Sequence, residues 1–312
     1  MCWKRVKRQE SMWKAVPGKE LTDMKSLREA GAAGFTDDGI PIMDEALVKA
    51  AMEQAKELDV PLSFHEEDPA YIENNGINHG KASAYYQIGG SDRMAEISLV
   101  RRDLELALST GAAFDVQHIS AKESVALVRE AKKKARELGM DNIHAEATPH
   151  HFSLTEEAAI QYGTLAKMNP PLREEADRMA IIEGLADGTI DLIATDHAPH
   201  SAEEKAKPLT EAPSGIIGLE TAFSLAITNL VRPGYLDLPK LFERMSLAPA
   251  KLYHLPAGQI REGMPADLIV FDDAAEVVYE KFASKSSNSP FTGQTLYGRI
   301  EMTICEGKEI QK

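Results

Sequence analysis

Short runs of β-branched and aromatic residues alternate with longer stretches in which apolar residues return every three or four positions. This alternation predicts βα units around a parallel sheet. The first run consists of small residues ending in Phe35-Thr36 and closes on the acidic turn Asp37-Asp38-Gly39. A helix is expected over residues 44–58, because Asp44 suits a cap and Ala46, Leu47, Ala50, Ala51, Ala55 and Leu58 keep helical spacing. Strands are then expected at 60–65, 113–118, 142–148 and 189–193, with helices at 92–109, 120–138, 154–162 and 174–185 between them. Two more helices, 217–230 and 239–255, precede a change of pattern. Residues 266–272, 277–279 and 300–305 read as strands with no helix between them, a small β layer with its boundary near Gly258. Residues 1–25 keep neither period.

Composition narrows the class. The 312 residues are 43% hydrophobic and 27% charged, enough for one large domain and a small one. A formal net charge of −14 argues against a nucleic-acid surface, and the basic cluster Lys4-Arg5-Val6-Lys7-Arg8 is too short to reverse it. No apolar run approaches the roughly 20 residues that span a bilayer. The two cysteines, Cys2 and Cys305, lie at opposite ends of the chain without C-x-x-C spacing, and a cytoplasmic location is expected.

The candidate chemistry sits where strands end. Asp38, His65, His118 and Asp196 each follow an apolar run at the same phase of successive βα units. In a (β/α) barrel the carboxyl ends of the strands converge on one mouth, so imidazoles and carboxylates placed there can meet around a zinc ion. Asp37 competes with Asp38, since neighbouring strand residues face opposite ways. His150 and His151 are expected to be structural, and His79, His144 and His254 have no convergent partner.

Taken together, Phe35-Thr36-Asp37-Asp38-Gly39, the strands ending at His65 and His118, Thr148-Pro149-His150-His151, Asn169-Pro170-Pro171-Leu172-Arg173, Ala194-Thr195-Asp196-His197-Ala198-Pro199-His200 and Gly218-Leu219-Glu220-Thr221 resemble a bacterial class I dihydroorotase of the amidohydrolase superfamily. The likeness runs from about Leu21 to the C-terminus. It implies an α/β fold, a (β/α)8 TIM-type barrel over 1–257 and a small β layer over 258–312. It also implies one or two zinc ions, with Asp38 bridging, His65 and His118 completing one site, and Asp196 as metal-facing acid and base. In that family the aspartate takes a proton from the attacking water and passes it to the departing ring nitrogen. By the same likeness Asn169, His200, Ser214 and Gly215 contact dihydroorotate, or N-carbamoyl-aspartate in the reverse direction. An aspartate at position 38 disfavours the hydantoinases and allantoinases, which mostly bridge their metals with a carboxylated lysine.

The sequence departs from the family pattern at its start. His65 is the first histidine, and no His-x-His-x-x-Arg occurs. The expectation is therefore an incomplete barrel lacking about three strands, exposed sheet edges near Phe35 and Ile193, one well-bound zinc at most, and impaired activity. A different class of reading is a non-catalytic dihydroorotase-like chain that associates with an aspartate transcarbamoylase. A homo-oligomer is also expected to be possible through the open edges.

Overall fold

A computed structural model describes residues 9–11 (backbone only), 20–37 and 39–310. Six parallel strands lie side by side in chain order: β1 (Gln9–Ser11), β2 (Gly34–Thr36), β3 (Leu62–Phe64), β4 (Phe114–Val116), β5 (Ile143–Ala147) and β6 (Leu192–Ile193). This is the arrangement of a (β/α) barrel wall, in which each strand pairs with the next after a helical crossover. The sequence predicts five of these strands and misses β1. Gln9, Glu10 and Ser11 pair with Gly34, Phe35 and Thr36, so the edge expected to be bare near Phe35 is covered. Three-residue strands carry too little period to be read from sequence alone.

Register explains the packing. Phe35, Leu62, Phe114 and Ile143 stand opposite one another across the sheet, and Phe64, Val116 and Ala145 form the next row on the same face. This apolar face meets the helices Glu45–Glu57, Met94–Thr110 and Lys122–Glu137 through Met52, Leu104, Val128 and other buried side chains. Phe64 and Phe114 pack edge to face with centroids 5.4 Å apart. The first of these helices is capped as its sequence suggests, since Asp44 Oδ1 accepts the N–H groups of Ala46 (2.9 Å) and Leu47 (3.2 Å).

Thr36, Ser63, Asp115 and His144 form a polar row on the opposite face. Ser63 Oγ donates to Asp115 Oδ2 (3.0 Å) and lies 2.6 Å from the Tyr253 hydroxyl. Burial pushes the Asp115 carboxyl up to about 7 against the opposing pull of the Ser63 hydrogen bond.

The remainder differs from the sequence reading in definable ways. A short helix, Lys81–Tyr86, lies in a stretch for which the sequence predicts no element. The helix expected from 217 begins at Ala222, because the Ile217 N–H is taken by the carbonyl of Asn288. It then widens into a π-helical turn over Ile227–Val231. The C-terminal sheet is antiparallel: β7 (Leu268–Val278), β8 (Thr295–Cys305) and β9 (Lys308–Ile310). β7 joins two stretches read as separate strands, through a bulge where Asp272 Oδ1 accepts the N–H groups of Ala274 and Ala275. Phe271 on β7 packs against Phe223 and Phe242, and the Ser224 hydroxyl donates to Gly298 O (2.7 Å), which ties this sheet to the barrel helices. Cys305 is disulfide-bonded, where the sequence shows no pairing pattern; the chain's other cysteine, Cys2, lies outside the described residues.

Asp115 gives a signed pH dependence. The folded chain keeps a proton on this carboxyl that the unfolded chain releases near pH 4, so stability falls as pH rises from about 4 to about 7 and levels off above. At about 1.4 kcal/mol per pH unit, the group accounts for up to about 4 kcal/mol of that fall. Denaturant midpoints across this range should be flatter with pH for Asp115→Asn than for the parent chain.

Candidate active site

Three of the expected residues meet directly. His65 follows β3 at once and His118 lies two residues beyond β4, so adjacent parallel strands deliver both rings to the same end of the sheet. His65 Nδ1 is 3.0 Å from His118 Nε2, and both side chains are buried. Asn169 Nδ2 lies 3.3 Å from His65 Nε2. Asp196 stands on the loop after β6, and its charge acts on both rings, raising the proton affinity of each. His118 and Asp196 both have positive φ, +31° and +44°. For non-glycine residues this backbone is strained, and such strain concentrates at functional sites.

Sequence reasoning missed the side chains that orient this cluster. Glu67 Oε2 is 2.9 Å from His65 Nε2, and Glu67 is only 3% exposed. A carboxylate on one ring nitrogen fixes the tautomer and directs the other nitrogen, here Nδ1, at its neighbour. Glu67 follows His65 by two positions, the spacing that keeps extended residues on one face, and that was the available signal. Asp37, the competitor of Asp38, is buried and accepts the His65 N–H at 2.9 Å, while burial lifts its carboxyl to about 6. Glu146 on β5 accepts the N–H of His118 at 3.3 Å.

Proton affinities in the pair are split. Burial, together with the neighbouring His65 charge, lowers His118 to about 4. Burial also opposes charge on His65, but the hydrogen bond and charge of Glu67 outweigh it and raise that ring above its ordinary value. The two facing nitrogens are thus unequal in proton affinity, and the tautomers decide which of them donates. Two imidazole nitrogens at about 2.0–2.1 Å from one tetrahedral zinc lie roughly 3.3 Å apart, close to the 3.0 Å seen here. Asn169 Oδ1, on the residue beside His65, is a buried polar atom with no partner among the described residues. The donor set thus fits a zinc ion. No set of three metal-type side chains is assembled among the described residues, and Asp38, the expected bridging ligand, lies outside them.

His200, Ser214 and Gly215 form a second group. His200 Nε2 donates to Ser214 O at 2.8 Å. Gly215 has φ +101°, and a Cβ there would come within 2.5 Å of the Ala198 Cβ, so only glycine lets this loop lie against the Asp196 loop. The Gly215 N–H bonds to the carbonyl of Lys167, two residues before Asn169, which links this group to the histidine pair. His197 Nδ1 accepts from the Gly218 N–H (3.1 Å), and His151 is held between Thr148 Oγ1 and the carbonyl of Pro170.

A buried ionic network braces the His118 loop. Glu96 accepts the N–H groups of Ser120 and Ala121, and the Ser120 hydroxyl as well. Arg173 donates to Ser120 Oγ (2.8 Å) and Asn78 Oδ1 (3.1 Å), with Glu96 Oε2 at 3.7 Å. One guanidinium therefore joins the loop after His118 to the segment that begins at Asn169.

Parallel strands that deliver a buried imidazole pair and an aspartate to one end of a barrel wall are the arrangement of a (β/α)-barrel hydrolase. The sequence profile of the amidohydrolase family matches residues 2–310, and the chain belongs to that family. Within it the similarity is to dihydroorotases. The Clostridioides difficile (strain 630) dihydroorotase is 55% identical over 295 residues, covering 95% of this chain and 69% of that protein. That of Lactococcus lactis subsp. lactis is 49% identical, covering 93% and 68%. The function is accordingly of dihydroorotase type, hydrolysis of a cyclic amide. Among solved structures, L-hydantoinase (dihydropyrimidinase) from Arthrobacter aurescens superposes with a TM-score of 0.81 at 25% identity, covering 93% of this chain and 67% of that one. D-hydantoinase from Thermus sp. gives 0.78 at 23%, covering 96% and 68%, a likeness of fold.

Removing one partner of the buried network strands the other. Arg173→Met should lower unfolding stability by about 3 kcal/mol or more, measured by denaturant titration, because Glu96 loses its cation partner among the described residues and the loop beyond His118 loosens.

Proposed function

We propose that the chain is a zinc-dependent dihydroorotase, interconverting dihydroorotate and N-carbamoyl-L-aspartate. On this reading Asp38, His65 and His118 hold zinc, with Asp196 facing the same ion and serving as the acid and base. The observation that carries it is the apposed His65 and His118 nitrogens, 3.0 Å apart, with Glu67 behind one of them. When bound, zinc lowers the pKa of water toward about 7 and polarises the amide carbonyl.

The chain's own residues then supply positioning and proton transfer. Asp196 takes a proton from the attacking water and returns it to the ring nitrogen as the carbon–nitrogen bond breaks, one carboxylate serving both halves of the reaction. Asn169, beside His65, and His200, Ser214 and Gly215, on the facing loop, hold the ring and its carboxylate. Glu67 keeps His65 in the tautomer that presents Nδ1. The working unit is a barrel over 1–257 with a β layer over 258–312, in a cytoplasmic enzyme. Its partner is the small-molecule substrate; no described helix is long and apolar enough to cross a membrane. Association with a second copy, or with an aspartate transcarbamoylase, belongs to the same reading and is visible by light scattering.

With dihydroorotate as substrate and zinc supplied, Asp196→Asn should lower kcat by about 10²–10⁴-fold, the usual worth of a positioned acid and base. Turnover unchanged by that substitution would contradict the assigned role. Glu67→Gln should weaken zinc binding about 10- to 100-fold in a competitive chelator titration.

A further inference from the structure

Four successive carbonyls leading to the end of the substrate-facing loop each receive a hydrogen bond from a different side chain. Lys167 Nζ donates to Ala212 O (2.7 Å), Lys205 Nζ to Pro213 O (2.8 Å), His200 Nε2 to Ser214 O (2.8 Å) and Asn288 Nδ2 to Gly215 O (3.2 Å). Lys205 Nζ also donates to Thr164 O (2.9 Å), and the Gly215 N–H returns a bond to Lys167 O (2.8 Å). Two segments, 163–169 and 212–215, are thereby stitched together along their backbones, one ending at Asn169 and the other at Gly215.

Both lysines are 5% exposed. Burial lowers the proton affinity of each, Lys205 to about 8, where the Lys167 charge adds to it, and no carboxylate offsets the effect. An ammonium desolvated without a counter-charge is costly, and an apolar side chain of similar length would fill the same space without that cost. What the ammonium adds is its donors, three on one atom, which can hold two carbonyls from different segments at once.

We propose that Lys205, assisted by Lys167, is a positioning residue for substrate binding: it holds the Ala212–Gly215 peptide against the 163–169 segment so that Gly215 and Asn169 face the same substrate. This rests on the dihydroorotase reading given above. Lys205 touches no reacting atom and lies outside the histidine cluster, so its loss acts on affinity for substrate and leaves the chemical step alone.

The test uses the full chain with zinc. Lys205→Met should speed hydrogen exchange at the Gly215 amide at least tenfold while amides of β3 to β5 keep their protection. It should raise the KM for dihydroorotate about tenfold with kcat within threefold, and Lys205→Arg should recover part of the loss. Unchanged Gly215 exchange overturns the proposal, as does a fall in kcat at constant KM. Should Lys205→Met fail to fold, Lys167→Met, which removes only the Ala212 bond, is read by the same criteria. Absence of turnover in the unsubstituted chain contradicts the proposed reaction, and the exchange result then decides the clamp by itself.

Discussion

Two imidazoles forced to face each other across 3.0 Å in a buried site set the terms for everything around them. Neutral rings in that position can share one hydrogen bond, whereas two charged rings would repel, so the pair tolerates at most one positive charge. The surrounding groups supply that bias. Glu67 sits behind His65, Asp196 acts on both rings, and burial keeps His118 neutral down to about pH 4. Such an arrangement favours a cation at the facing nitrogens, and a carboxylate behind one ring is the kind of contact that orients a metal-ligating imidazole.

Holding the pair requires rigid strand ends. β3 and β4 are three residues each, too short to be stable alone, and they gain their order from the apolar rows that bury Phe64 and Phe114 against the crossover helices. The opposite face carries Ser63 and Asp115, whose mutual hydrogen bond satisfies polar atoms that the barrel interior would otherwise strand. Beyond the strands, order is kept by charge: the Glu96–Arg173 network fixes the loop after His118, and the buried lysines fix the loop that ends at Gly215. The site is therefore framed by two separate sets of buried polar bonds, each joining a different pair of segments, above a third that ties β3 to β4.

Much of this was legible in the sequence because the same event recurs in it. An apolar run that ends on an acid or imidazole, repeated at each βα unit, announced the parallel sheet and the end of it at which His65 and His118 meet. Helices with a clear three-to-four spacing, such as Glu45–Glu57, were read to within a residue. What was illegible depended on contacts between distant segments. Gln9–Ser11 has no period of its own and is a strand only because Gly34–Thr36 lies beside it. Nothing in the sequence marked Arg173 and Lys205 as buried, at 3% and 5% exposure. Glu67 stood in an acidic run, Glu66-Glu67-Asp68, whose members the sequence could not rank, and only the 2.9 Å contact with His65 separates it from its neighbours.

On the proposed function, His65 and His118 together seat a cation. X-ray absorption of the zinc-loaded chain addresses it most directly, since imidazole rings leave a characteristic multiple-scattering signature. Two imidazole nitrogens at about 2.0–2.1 Å from the metal, reduced to one by His118→Ala, is the predicted result. Zinc bound by oxygen and sulfur alone, or a signature untouched by that substitution, would contradict it.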